Sequence, residues 1–129
     1  MNAFKIALSI LIYICIVFGA MSSIGIDHFL DFPSAVFVLG ISISSMLCNS
    51  GKSYEAVQAF SKGAVLGGWL GAIIGLISIT ANSGFDKPSL ISPWINNGPA
   101  LSAMLTIVLY GYIIKGLCFI IVSTLRRDD

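Results

Sequence analysis

Four apolar runs divide this chain, over residues 4–21, 33–48, 63–81 and 99–123. At about 1.5 Å of rise per helical residue, each comes near or above the ~30 Å core of a lipid bilayer. The second run is the shortest. Only 10% of the 129 residues are charged, against 57% hydrophobic, whereas an ordinary soluble domain carries about 25% charged residues. Too little polar surface is available to solvate so much apolar chain in water. The sequence is therefore read as an all-α integral membrane protein of four transmembrane helices, a single membrane domain over residues 1–129 with short loops. No soluble domain is expected on either side.

Residues 1–25 have the outline of a signal peptide: a basic residue (Lys5), an apolar run and small residues after it. Phe18, however, stands where a small residue would precede cleavage at Ala20, so the segment is read as a retained first helix. If the four spans alternate, Lys5, Lys52, Lys62, Arg126 and Arg127 fall on one side. Lys87 falls on the other, with Asp27, His28, Asp31 and Asp86. The positive-inside rule then puts both termini in the cytoplasm and two loops outside. Cys15, Cys48 and Cys118 all lie in spans, with no metal-type spacing, and are expected to be reduced packing residues.

The connections carry their own signals. Asp31 shortly before Pro33 marks a helix start. In the inner loop, SYEAVQAF is expected to form two helical turns lying at the interface, with Lys52 and Lys62 near lipid headgroups. The second outer loop, NSGFDKPSLISPWINNG, holds Pro88, Pro93 and Trp94. It is read as a structured loop resting on the membrane, with Phe85 and Trp94 at headgroup depth.

The third run contains GAVLGGWLGAIIGL (residues 63–76), with glycine at Gly63, Gly67, Gly71 and Gly75 and a second small stripe of Ala64, Gly68 and Ala72 beside it. Each glycine inside a helix lowers its stability by about 0.5–1 kcal/mol relative to alanine. In lipid, small residues four apart let helix backbones approach closely, which is what drives helices together there. The face is wide for one contact. It suits packing inside the chain, two neighbours at once, or a helix that slides against it, and a homo-oligomer is the expectation.

Chemistry-bearing residues are scarce. The spans hold no Asp, Glu or His, so the proton-coupled carboxylate that small four-helix multidrug exporters carry in helix one has no counterpart. Apart from Lys5 at the start of the first run, Lys115, in YGYIIKGLCF, is the charge inside a span. Such charges are functional suspects, although a lysine near an inner edge also snorkels to the headgroups. Ser102, Thr106 and Tyr110 recur every fourth residue on the last span, fit either to line a polar seam or to bond carbonyls of their own helix. No nucleophile–base pair, phosphate loop or nucleic-acid patch is visible. The chain is not expected to be an enzyme, nor to bind a cofactor, metal or nucleic acid.

Two stretches carry a family resemblance. GAMSSIGIDHFLDFPSAVFVLGISI (residues 19–43) is similar to the short turn between helices one and two of the MotA/PomA flagellar stator subunits, in the MotA/TolQ/ExbB proton-channel family. There an aspartate and serine (here Asp31 and Ser34) precede an apolar run and a glycine (here Gly40). GWLGAIIGLISI and GPALSAMLTIVLYGYII (residues 68–79 and 98–114) resemble the family's pore helices three and four. The resemblance implies a subunit of a bacterial inner-membrane ring, a homopentamer whose helices three and four line a central channel. Two single-pass partner helices, each with an intramembrane aspartate, stand in that channel and carry the ion. It implies a proton-driven rotary stator, an ion path past Ala72 and the Thr106, Val108 and Tyr110 region, and a partner face on Gly63, Gly67, Gly68, Gly71 and Gly75. It leaves Lys115 as a charge at the cytoplasmic exit. A non-conducting oligomeric scaffold that binds a partner membrane protein is the alternative.

Departures from the family bear on mechanism. Flagellar members have a large cytoplasmic domain where this chain has about fifteen residues between helices two and three, which removes the usual rotor-contacting surface. Sodium-type members place a threonine where Ala72 stands, and the family's helix-four threonine aligns with Val108. Thr106 lies about 200° around the helix from Val108 at ~100° per residue. The proline that often opens helix three aligns with Val65. Sodium use is not expected.

Overall fold

Helix boundaries follow local chemistry closely. The computed structural model describes residues 3–49, 51–82 and 98–128, and these form four α-helices with no strand among them. They are α1 (Ala3–Ile24), α2 (Phe32–Leu47), α3 (Ser53–Asn82) and α4 (Gly98–Asp128), with a 3-10 turn at Ile26–Phe29 between α1 and α2. Three of them, α1, α3 and α4, are long and apolar enough to cross a membrane. α2 has 16 residues, about 24 Å of helix, and is the short one. Phe85, Asp86, Lys87, Pro88, Pro93 and Trp94 lie outside the described residues.

Gly25 turns the chain out of α1 with φ at 110°, a conformation that glycine alone adopts without strain. The chain then enters α2 through Asp31 in extended geometry. Its carboxylate accepts from the Ser34 backbone N–H (3.4 Å) and from the Ser34 hydroxyl, with Pro33 in the first turn. This is the helix start that Asp31 and Pro33 signal. Replacing Asp31 with alanine removes the cap and is expected to lower stability by about 1 kcal/mol; thermal melting in detergent reads it, and an Asp31→Asn change should recover most of the loss.

The inner connection differs from expectation. Its two helical turns are not a separate interfacial piece but the first part of α3, which starts at Ser53. The Lys52 carbonyl accepts from the N–H groups of Glu55 (2.9 Å) and Ala56 (3.1 Å), and no breaker stands between Ser53 and Gly63. Asn49 braces the bend, its amide donating to the Glu55 carbonyl at 3.2 Å. The resulting helix of 30 residues is about 45 Å long.

α3 is the centre of the bundle, with α2 against one flank and α4 against another. Side chains added at the glycines would meet those neighbours. A Cβ at Gly63 would lie 2.9 Å from the Ser42 Cα, and one at Gly67 3.3 Å from the Val38 Cα. On the other flank, a Cβ at Gly68 would lie 3.0 Å from the Ile107 carbonyl oxygen, and one at Gly111 2.6 Å from the Ala64 carbonyl oxygen. These pairs fix an antiparallel register in which Ala64 stands beside Gly111 and Gly68 beside Ile107. Val38, Ala64, Ala72 and Ile107 form the small core between the three helices. Ser42 is fully buried there, and its hydroxyl donates to the Val38 carbonyl at 2.7 Å.

α1 is attached differently. It approaches α4 and the 3-10 turn but makes no close approach to α2. Among the described residues its hydrogen bond to α4 runs from the Tyr13 hydroxyl to the Ile113 carbonyl at 3.1 Å, and the Tyr13 ring rests on Gly116.

Candidate functional site: the two sides of the α3–α4 pair

Covering of the α3–α4 pair is one-sided. Gly63 and Gly67 face α2 while Ala64, Gly68 and Gly75 face α4, and Gly71 lies between Phe37 of α2 and Ile107 of α4. Around the helix at ~100° per residue, this leaves the stripe Lys62, Leu66, Trp69 and Ile73 on the side away from α2, and all four are exposed. On α4, Tyr110 reaches the 3-10 turn and Tyr13 of α1 contacts Ile113 and Gly116. The stripe Leu105, Tyr112 and Phe119 is exposed on the side away from that turn. α2 and the turn thus cover one side of the pair; on the other, α1 meets α4 at Gly116, between Tyr112 and Phe119, and no described helix covers the α3 stripe.

The small-residue stripes have their neighbours inside the chain. The width that suggested an oligomer is accounted for by α2 on one stripe and α4 on the other, so that feature no longer argues for a partner by itself. Gly19 and Gly40, by contrast, have nothing within 4 Å of an added Cβ.

The hydroxyl series on α4 divides between roles. Tyr110 donates to the Phe29 carbonyl and accepts from the Asp31 N–H at 3.1 Å. It therefore ties the turn between α1 and α2 to the middle of α4. Thr106 is buried and donates to the Ser102 carbonyl of its own helix at 2.9 Å. Ser102 is exposed and lines a cleft of about 410 Å³ together with Asp31, Gly98, Pro99 and Ala103. Val108 lies elsewhere, between the α3-facing Gly111 and the exposed Tyr112, next to Gly68. Ala72 is buried one turn further along α3, 8% exposed, against the same seam. The candidate path residues are not one constellation: Ala72 and Val108 flank the seam, while Thr106 and Tyr110 point to the covered side.

Lys115 is exposed, with its Nζ 5.9 Å from the centre of the Tyr112 ring. The register places it within one turn of the level of Lys62, where the polar start of α3 gives way to its apolar part. That explains how an apolar run accommodates it: its neighbours in depth are Gln58, Ser61 and Lys62. Among the described residues no three His, Cys, Asp or Glu side chains gather as a metal site, and no buried side-chain polar atom lacks a partner.

Sequence reasoning passed over the two tyrosine clamps. A tyrosine in an apolar span needs a partner for its hydroxyl, which is the signal that points to them. A Tyr110→Phe change removes both bonds of the hydroxyl and leaves the Phe29 carbonyl and the Asp31 N–H only their bond to each other at 3.1 Å. The expected loss is about 1–3 kcal/mol, read as a lower melting temperature in detergent.

No family model, no characterised protein and no solved structure matches this chain.

Proposed function

We propose that this chain is a subunit of a minimal stator-like ring in the bacterial inner membrane, of the MotA/TolQ/ExbB kind. In this reading both termini are cytoplasmic and five copies surround a channel. The uncovered side of α3–α4 faces the centre, and single-span partner helices with an intramembrane aspartate stand against it. The observation that carries the reading is the uneven packing: α2 and the turn lie behind the α3–α4 pair, and the other side holds an exposed apolar wall along Leu66, Trp69, Ile73, Leu105 and Tyr112, met among the described residues by α1 at Gly116. The resemblance of residues 19–43, 68–79 and 98–114 to the family's turn and pore helices supports the same arrangement.

Division of labour follows from side-chain chemistry. Beyond Lys62 and Lys115 at its polar end, the described bare side offers apolar side chains and the Tyr112 hydroxyl, and no carboxylate, so the titratable group that moves a proton belongs to the partner. The chain supplies a dry wall whose low dielectric keeps that carboxylate protonated until it meets water. The test is proton flux into liposomes carrying both proteins, with the partner's aspartate intact or changed to asparagine. Flux is expected only with the aspartate. Equal flux in the two cases, or flux from this chain alone, overturns the reading. A stable complex with no flux in either case establishes the non-conducting scaffold instead.

A further inference from the structure

We propose that Lys62 and Lys115 together form a binding site for the headgroup of an anionic phospholipid at the polar end of the bare α3–α4 side. The register carries this inference. Ala64 beside Gly111 and Gly68 beside Ile107 put Lys62 opposite Ile113, so Lys115 is displaced by two residues, about 3 Å along the axis. Both lysines are exposed. Lys62 lies on the bare stripe of Leu66 and Trp69, and Lys115 lies between the α3-facing Gly111 and the exposed Tyr112. Two cations on adjacent helices therefore share one depth and one side.

Charge complementarity selects the occupant. Among the described residues Lys62 makes no hydrogen bond or ion pair, and the Lys115 ammonium has the Tyr112 ring beside it at 5.9 Å. The bare side carries no described acidic residue that would neutralise them. The acidic side chain of the inner connection, Glu55, is engaged by the Tyr54 hydroxyl at 3.2 Å. From the lysines, the stripes of Leu66, Trp69 and Ile73 on α3 and of Val108, Tyr112 and Leu105 on α4 run toward the opposite membrane face, giving two parallel apolar tracks. A phosphate held between two ammonium groups, with acyl chains along those tracks, satisfies both parts of the surface. A neutral zwitterionic lipid brings its own cation to the same place and gains less. In the proposed ring the same side faces the partner helices, so the lipid occupies it in the chain without a partner, and the inference does not depend on the ring.

Native mass spectrometry of the purified chain, titrated in detergent with phosphatidylglycerol or with phosphatidylcholine of the same acyl chains, tests it. Each lysine near an anionic headgroup is expected to contribute about fivefold and the pair about 25-fold to retention. The Lys62→Gln/Lys115→Gln variant should lose that preference, while Lys62→Arg/Lys115→Arg keeps it. Lys5→Gln/Lys52→Gln, which removes the same charge elsewhere, should leave it unchanged. Melting curves of each variant confirm that the fold persists. Equal retention of the two lipids, or equal loss in the two glutamine variants, overturns the site. Displacement of phosphatidylglycerol by millimolar inorganic phosphate also overturns it, since the site would then take a free anion.

Discussion

Replacing Gly111 with leucine is expected to prevent the bundle from assembling. An added Cβ alone would stand 2.6 Å from the Ala64 carbonyl oxygen and 3.3 Å from the Val65 Cα. Both are backbone atoms of a helix, which cannot rotate away as a side-chain end can. Leucine adds three more carbons, so α4 must separate from α3 along the contact that holds the core. Overpacking of a fixed interface costs about 1–3 kcal/mol and at times more, and here the whole α3–α4 contact is at stake. The measurement is the yield of folded protein in detergent and its melting temperature. Gly40→Leu and Gly19→Leu are the matched controls. Those positions have open space, and each substitution should melt within about 0.5 kcal/mol of the parent, as substitutions away from packed features do. Equal damage at Gly40 and Gly111 would mean that Gly40 also meets a helix.

The second large effect concerns the seam. In the proposed ring, widening Val108 to tryptophan is expected to abolish partner-dependent proton flux. Val108 borders the exposed Tyr112 and packs against the core beside Gly68, so a melting curve of the variant accompanies the flux measurement to show that the subunit is folded. Thr106→Val is expected to leave flux unchanged. The Thr106 hydroxyl bonds the Ser102 carbonyl of its own helix and faces the covered side, and valine keeps its shape. Flux measured in liposomes with the partner present separates the two. Loss of flux in Thr106→Val together with normal flux in Val108→Trp would place the path on the opposite side of α4.

Much of this architecture is visible in the residues. The apolar runs announce the helices, and Asp31 followed by Pro33 announces the start of α2. Residues 53–60 are harder, since an amphipathic octet reads equally well as a piece lying on the membrane. What decides is that Ser53 to Gly63 contains no breaker and that Gly63 rests on Ser42, which carries the helix through. The paired small stripes show that close contacts exist without saying with whom, and two helices of the same chain answer that. The tyrosine clamps join residues 79 to 100 positions apart. A single sequence records which groups need a partner and holds no record of which group supplies it. The same holds for the pairing of Lys62 with Lys115, which exists only once the register of α3 on α4 is known.

The attachment of α1 has a consequence for how the protein is made. Its bond to Ile113 spans 100 residues, and the turn that follows is held by Tyr110, 81 residues beyond Phe29. At about 5–20 residues per second of synthesis, the first helix waits roughly 5–20 seconds in the membrane before its anchor exists. It must persist in that interval as an independent span, sustained by its own backbone bonds and by lipid. α4 emerges after the helices it gathers, so a chain interrupted before residue 110 leaves α1 without its bond to α4.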